Sequence, residues 1–209
     1  MENKEIRTIT LDIETREEND TRTIAGYGAV FNTLSNDLGG FRESIGSEAF
    51  EGRTNDDVRY LLNHDPNFIY GRTTAGTLRL SVDEKGLRYE VDLPNTQSAN
   101  ELYTSIQRGD ITQSSFAFVV EDDSWEERDG QIYRTINKVS RLFDVSSVVY
   151  PAYNDAPTFA LRSLEKFKEE IKKEEPKVET PQEETPEEEN KSTRLRDLNT
   201  LKLTILKSK

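Results

Sequence analysis

Three kinds of side chain in this 209-residue sequence can do acid–base or nucleophilic chemistry: one imidazole, a pair of adjacent hydroxyls, and one acid set in an apolar run. His64 is the only histidine. It ends the alternating run Val58-Arg59-Tyr60-Leu61-Leu62-Asn63-His64-Asp65, which reads as a strand delivering an imidazole to a loop. Histidine is the side chain whose ordinary pKa lies in the physiological window, so proton transfer near neutral pH falls to His64. The chain has no cysteine, which excludes thiol catalysis, disulfides and cysteine-ligated metal centres. A nucleophile activated by His64 is therefore a hydroxyl, a lysine amine or a carboxylate.

The hydroxyls lie in Asp110-Ile111-Thr112-Gln113-Ser114-Ser115-Phe116-Ala117-Phe118-Val119. In a strand, Ser114, Phe116 and Phe118 point one way while Ser115, Ala117 and Val119 point the other. Ser115 thus shares a face with small residues, which leaves room for an imidazole and a substrate carbonyl. The acid is Asp144, inside the apolar and hydroxylic run Arg141 to Tyr153, where it needs a partner. In the order His64, Ser115, Asp144 these residues can supply the base, nucleophile and orienting acid of activated-serine catalysis. Spacing alone does not select that reading. A histidine before Asp65-Pro66 can simply cap a turn, Ser114 and Ser115 can be ordinary strand hydroxyls, and Asp144 can pair with Arg141, Arg134 or Lys138.

The elements that must position these residues follow a period of two. The alternation predicts strands over Glu5 to Glu14, Thr23 to Phe31, Val58 to His64, Leu78 to Val82, Leu87 to Leu93, Gln113 to Glu121, Ile132 to Val139 and Leu142 to Val149. Turns are expected at Asp83-Glu84-Lys85-Gly86 and Arg128-Asp129-Gly130. So many short strands imply a sandwich or barrel, mainly β with flanking helices. Ser98-Ala99-Asn100-Glu101 reads as a capping box opening a helix whose apolar face is Ala99, Leu102, Tyr103 and Ile106, with Gly109 placed to end it. A second helix is predicted from Ser163 through Lys173 on the face Leu164, Phe167, Ile171. Trp125, amid acids, reads as a hairpin-tip residue.

Composition divides the chain near residue 165. Residues 1–165 have enough recurrent apolar and aromatic positions for one folded domain. Residues 166–190 read as a helix end and a disordered linker; Glu174 to Asn190 carries eight carboxylates, one lysine and three prolines. Residues 191–209 reverse the charge, with six basic residues and one acid, and space Leu195, Leu198, Leu201 and Ile205 as a short amphipathic tail. The net charge of −12 argues against a nucleic-acid surface of any size and favours a protein or cationic partner. No apolar stretch is long enough to cross a bilayer and no leader pattern opens the chain, so a soluble protein made in the cytoplasm, with no membrane association, is expected. One histidine, no cysteine and no glycine-rich phosphate loop leave no expected cofactor and no metal site.

Three blocks of this sequence, in order, resemble the signature blocks of the tailed-phage prohead (capsid maturation) serine protease family. They are Leu62-Asn63-His64-Asp65 with Gly71-Arg72, Gly109 followed by Ser115-Phe116-Ala117-Phe118, and Asp144-Val145-Ser146 with Val148 and Pro151-Ala152-Tyr153. The resemblance implies a serine endopeptidase inside the immature procapsid in the host cytoplasm. There it would cut scaffolding protein or the major capsid protein, and itself. It also implies the fold of the herpesvirus assemblins, an antiparallel β-barrel flanked by helices, and self-association. Carried over block by block, His64, Ser115 and Asp144 match the family's site positions. The sequence departs from the commonest pattern in having Ser114 before the matched serine, Ala117 after its aromatic, and Asp rather than Glu at 144. Arg72 and Arg141 are the nearest cations for holding a water or loop at the oxyanion. The alternative from another class is a noncatalytic capsid-assembly or scaffold component on the same fold. Self-cleavage is expected within residues 173–195.

Overall fold

The chain before residue 150 is cut by polar turns into short segments that alternate apolar and polar residues, and such segments can bury one face only by pairing into sheets. The computed structural model describes residues 3–150 and 158–174. In chain order the elements are β1 (Lys4–Thr10), β2 (Glu14–Glu18), β3 (Thr21–Val30), β4 (Arg42–Ile45), β5 (Arg59–Leu62), β6 (Asp65–Arg72), β7 (Leu78–Val82), β8 (Gly86–Asp92), α1 (Gln97–Gln107), β9 (Gln113–Arg128), β10 (Gln131–Val148) and α2 (Thr158–Glu174). Residues Met1–Glu170 make one compact unit. The acidic linker beyond residue 174 and the basic tail 191–209 lie outside the described residues, as do Pro151-Ala152-Tyr153.

Among the described residues the architecture is mainly β with two α-helices, and the strands do not close into a barrel. They form a six-stranded sheet, ordered β1-β9-β10-β5-β6 with β4 paired to β10, and a four-stranded sheet ordered β2-β3-β8-β7. Nor is the pairing wholly antiparallel, because β10 runs parallel to both β4 and β5. Alternation tells which residues face inward but not which strand a segment will neighbour, so strand count suggested closure that the ladders do not provide. The two sheets share the main core: Phe116 and Phe118 of β9, Val145 and Leu142 of β10, Ile24 and Ala29 of β3, and Leu87, Tyr89 and Val91 of β8 are all buried within it. Phe116 stacks on Phe118 at 4.6 Å between centroids and meets Phe50 edge-on at 5.6 Å.

Several boundaries differ from the sequence reading for identifiable reasons. β9 and β10 run unbroken for 16 and 18 residues, whereas two short strands were expected in place of β10. The polar stretch around Ser140 is a group of β-bulges rather than a turn, since the register shifts repeatedly between Ile136 and Asp144. The hairpin turns at Asp129-Gly130, both at positive φ, as a tight primed turn requires. Glu5 to Glu14 is split: β1 joins the larger sheet and β2 the smaller. β2, β4 and β6 escaped notice because they are short, charged or carry Pro66 at their second position. Helix α1 is capped two residues earlier than expected, by Thr96 Oγ1 accepting from the Ala99 N–H at 3.4 Å. Its predicted face, Ala99, Leu102, Tyr103 and Ile106, is buried. Gly109 follows its end at φ +81° with its N–H on the Ile106 carbonyl, where a side chain would be strained.

Helix α2 starts five residues before the predicted Ser163. Ala160 and Leu164 pack with Leu38, Phe41 and Ile132 in a second small core, against which Trp125 and Phe167 lie. Trp125 is therefore not at a hairpin tip. Its ring lies between Phe41, 5.0 Å away, and Phe167, 6.0 Å away.

Beside it sits a buried charge cluster. The Arg134 guanidinium donates to Asp123 at 2.7 Å, to Glu5 at 2.9 and 3.1 Å, and to Glu43 at 2.9 Å. Arg7 donates to Glu43 at 2.6 and 2.8 Å and to Glu5 at 2.6 Å. Glu5, Glu43 and Arg134 are 2–3% exposed, so these charges are held away from water and only their mutual pairing makes that tolerable. The cluster ties β1 and β4 onto the β9–β10 hairpin. Removing one partner leaves buried carboxylates undercompensated, and Arg134→Met is expected to destabilise the fold by about 3–5 kcal/mol. Urea unfolding measures this, and a loss below about 1 kcal/mol would mean the cluster is as stable without its central cation.

Candidate active site

β9 and β10 pair antiparallel with Ser115 opposite Ser146 and Ala117 opposite Asp144. Because side chains alternate, Ser115, Ala117, Asp144 and Ser146 all stand on one face, and Ser114, Phe116, Val145 and Ser147 on the other. On the core side, Ser114 Oγ lies 2.8 Å from the Tyr89 hydroxyl and Ser147 Oγ lies 2.5 Å from the Tyr60 hydroxyl. Burial pushes Tyr89 up to about 12 and Tyr60 well above its ordinary value, so both rings stay neutral hydrogen-bonding groups. Gly26, the cross-strand partner of Tyr89, makes room for that ring: a Cβ there would stand 2.7 Å from its hydroxyl oxygen. Ser114 is thus engaged away from the imidazole.

His64 arrives from the neighbouring hairpin. β5 lies parallel to β10, with Arg59 opposite Asp144 and Leu62 opposite Ser147, and pairs antiparallel with β6. Leu62 and Asp65 pair directly, so Asn63-His64 is a two-residue turn, and both residues have positive φ, +55° and +59°. That is the geometry of a primed hairpin turn, which Asn and His tolerate better than most side chains. Asn63 ties the turn to the end of β10: its N–H donates to the Ser147 carbonyl and its Oδ1 accepts from the Val149 N–H, both at 2.9 Å.

The imidazole consequently lies over β10 and reaches β9. His64 Nδ1 is 2.5 Å from Asp144 Oδ1, and His64 Nε2 is 2.6 Å from Ser115 Oγ. The structure therefore brings together all three residues singled out in the sequence. Two further contacts surround them. Ser146 Oγ donates to Asp144 Oδ1 at 3.0 Å and lies 3.3 Å from His64 Nδ1, while Lys4 Nζ approaches Asp144 Oδ2 at 3.4 Å. The single Ser115 proton has two acceptors in reach, His64 Nε2 and the Arg7 carbonyl at 2.9 Å, and Thr8 Oγ1 donates to Ser115 Oγ at 3.3 Å. Ser115 is fully buried and the His64 side chain retains 14% exposure.

Asp144 is 3% exposed, and burial alone would raise its pKa. The hydrogen bond and charge of His64, the charge of Lys4 and the Ser146 hydroxyl outweigh burial and hold the carboxyl below its ordinary value. An ionised acid on Nδ1 leaves Nε2 as the acceptor for a hydroxyl proton, the arrangement that makes a serine oxygen nucleophilic. The basic residues considered as structural partners of Asp144 are engaged elsewhere. Arg134 belongs to the Glu5–Glu43 cluster, Lys138 pairs with Glu121 at 2.8 Å, and Arg141 stacks on Phe143 at 4.6 Å. Arg72 forms a two-pronged pair with Asp57 at 2.7 Å. Ser146 and Asn63 stand in the matched blocks but were given no role by the sequence reading. Ser146 was findable, since a hydroxyl two residues after a strand acid shares its face; Lys4 was not, being 140 positions from Asp144.

With this geometry in place, the chain can be set beside known proteins. The family model described as caudovirus prohead serine protease matches residues 9–170. The chain is a serine protease. It belongs to the caudovirus prohead serine protease family. Among solved structures it is similar to the bacteriophage T4 capsid assembly protease, gp21, with 14% identity, 71% of this chain and 98% of that chain covered, and a TM-score of 0.49. A search of curated proteins gave no match.

Asp144 and Glu5 both have lowered folded-state values; burial opposes the lowering in each, and in Glu5 the bonds and charges of Arg134 and Arg7 prevail. A lowered folded value means the stabilisation is complete above the unfolded carboxyl value, near pH 4, and is lost as pH falls from there through the folded value. The urea midpoint is expected to hold between about pH 5 and 7 and decline below about pH 4, with a shallower decline in Asp144→Asn. An identical acid limb in that variant would remove Asp144 from the account.

Proposed function

We propose that this protein is a serine endopeptidase of capsid maturation acting through an acyl-enzyme, with Ser115 as nucleophile, His64 as general base and then acid, and Asp144 as the orienting acid. The single observation that carries the reading is that one imidazole ring is bonded to an ionised, buried carboxylate through Nδ1 and to a serine hydroxyl through Nε2. As Ser115 Oγ bonds to the scissile carbonyl carbon, its proton passes to His64 Nε2. The tetrahedral centre then collapses, the C–N bond breaks, and the proton goes to the leaving amine. Water, deprotonated by His64, attacks the ester, and Ser115 recovers its proton. Asp144 stabilises the imidazolium in both halves. Main-chain N–H donors at the oxyanion would contribute roughly 3 to 4 kcal/mol each.

Family membership supports, as the substrates of this proposal, scaffolding protein or the major capsid protein, cut inside the immature procapsid in the host cytoplasm, together with the chain itself. On this reading residues 1–165 are the catalytic domain, 166–190 are the end of α2, whose Phe167 packs on the small core, followed by an acidic spacer, and 191–209 are a partner-binding tail. Self-cleavage falls within 173–195, a segment whose sequence is rich in proline and glutamate, the composition of a preferred proteolytic site. Because Ser115 is fully buried, a peptide carbonyl reaches it only when groups enclosing it move.

Intact-mass analysis of the chain with its capsid or scaffold substrate tests the proposal. Ser115→Ala and His64→Ala are expected to lower cleavage by about 10⁴- to 10⁶-fold, while Ser114→Ala still cuts. Cleavage that survives Ser115→Ala but not Ser114→Ala would move the nucleophile one residue. A folded wild-type chain that cuts neither substrate nor itself would favour an assembly role.

A further inference from the structure

Asp144 Oδ1 receives two hydrogen bonds, one from His64 and one from a hydroxyl on its own strand. We infer that Ser146 is a positioning residue of this site: its hydroxyl fixes the Asp144 carboxylate on His64 Nδ1 and thereby sets the imidazole tautomer. The inference rests on the serine-protease reading above but concerns the acid–imidazole pair, which can be observed without turnover.

The geometry is specific. Ser146 is 0% exposed and stands on the same face of β10 as Asp144, directly across from Ser115. Its Oγ lies 3.0 Å from Asp144 Oδ1 and 3.3 Å from His64 Nδ1. A hydroxyl has one proton. When that proton goes to Oδ1, the oxygen presents only lone pairs to the ring, and a lone pair 3.3 Å away favours a proton on Nδ1. Ser146 and Asp144 therefore both require the Nδ1–H tautomer, which leaves Nε2 free to accept from Ser115. An aspartate side chain turns about two torsions, so one bond to His64 does not fix the orientation of its plane. The hydroxyl two residues along the strand supplies a second point on Oδ1, and Lys4 approaches Oδ2. The backbone of Ser146 is locked by pairing with β9 on one side and β5 on the other, so the hydroxyl is presented from the most constrained part of the sheet.

Because His64 is the sole histidine, a ¹⁵N-histidine spectrum of the full chain reports this ring alone. At a pH where the imidazole is neutral, wild type is expected to be protonated on Nδ1. Ser146→Ala is expected to show a mixed tautomer and about 10- to 100-fold slower labelling by a fluorophosphonate, the worth of one hydrogen bond to a charged group. Ser146→Thr, which retains the hydroxyl, should restore both. Ser146→Ala with the wild-type tautomer and labelling rate would overturn the inference. So would slower labelling accompanied by an unchanged tautomer, since that is what a merely structural role produces. If Ser146→Ala does not fold, Ser146→Cys, of similar size but a weaker donor, is read the same way. Where the enclosure of Ser115 keeps the fluorophosphonate out of the wild type, the tautomer comparison alone decides the role of Ser146, and the protease mechanism is decided separately by the cleavage assay.

Discussion

The antiparallel register of β9 on β10 is the constraint from which the rest of the structure follows. It places Ser115 against Ser146 and Ala117 against Asp144, and the two-residue period of a strand then assigns every neighbouring side chain to a face. On one face stand the hydroxyls and the acid. On the other stand Phe116, Phe118 and Val145, which join the core shared with the smaller sheet. A slip of one residue on either strand would send an aromatic ring toward His64 and a charged group into the core. The apolar burial that stabilises the sheet is therefore also what fixes the site's geometry.

Register alone does not deliver the imidazole. That depends on β5 running parallel to β10, so that its turn with β6 falls beside Ser147 and Val149. Two consecutive residues with positive φ turn the chain tightly there, and the Asn63 amide fastens the turn to β10. The local cost of positive φ at His64 is offset by bonds on both sides of its ring. Charge is handled likewise. Asp144 is buried but carries bonds from His64 and Ser146 and the nearby charge of Lys4, while the Arg7–Glu5–Arg134–Glu43 cluster satisfies a second set of buried charges and ties β1 to β4 and β10. β1 thus meets the site at three points, Lys4, Arg7 and Thr8, although it lies at the edge of the sheet.

The sequence by itself determined what depends on neighbouring residues. Alternation found the more apolar strands, though not β2, β4 or β6, and separated Ser114 from Ser115; helical spacing gave the buried face of α1, and Asp129-Gly130 announced its turn. Elimination left His64 as the one imidazole available. The tertiary structure decided what depends on partners distant in the chain. Two open sheets rather than a barrel, the parallel placement of β4 and β5, the fusion of two expected strands into β10, and Trp125 as a member of a small core all turn on which strand lies beside which. The same holds at the site: Lys4 comes to Asp144 across 140 positions and His64 to Ser115 across 51. Side-chain period is a local property of the backbone and can be read along the chain. Strand order and register are set by the burial of the whole apolar surface at once, and no single segment encodes them.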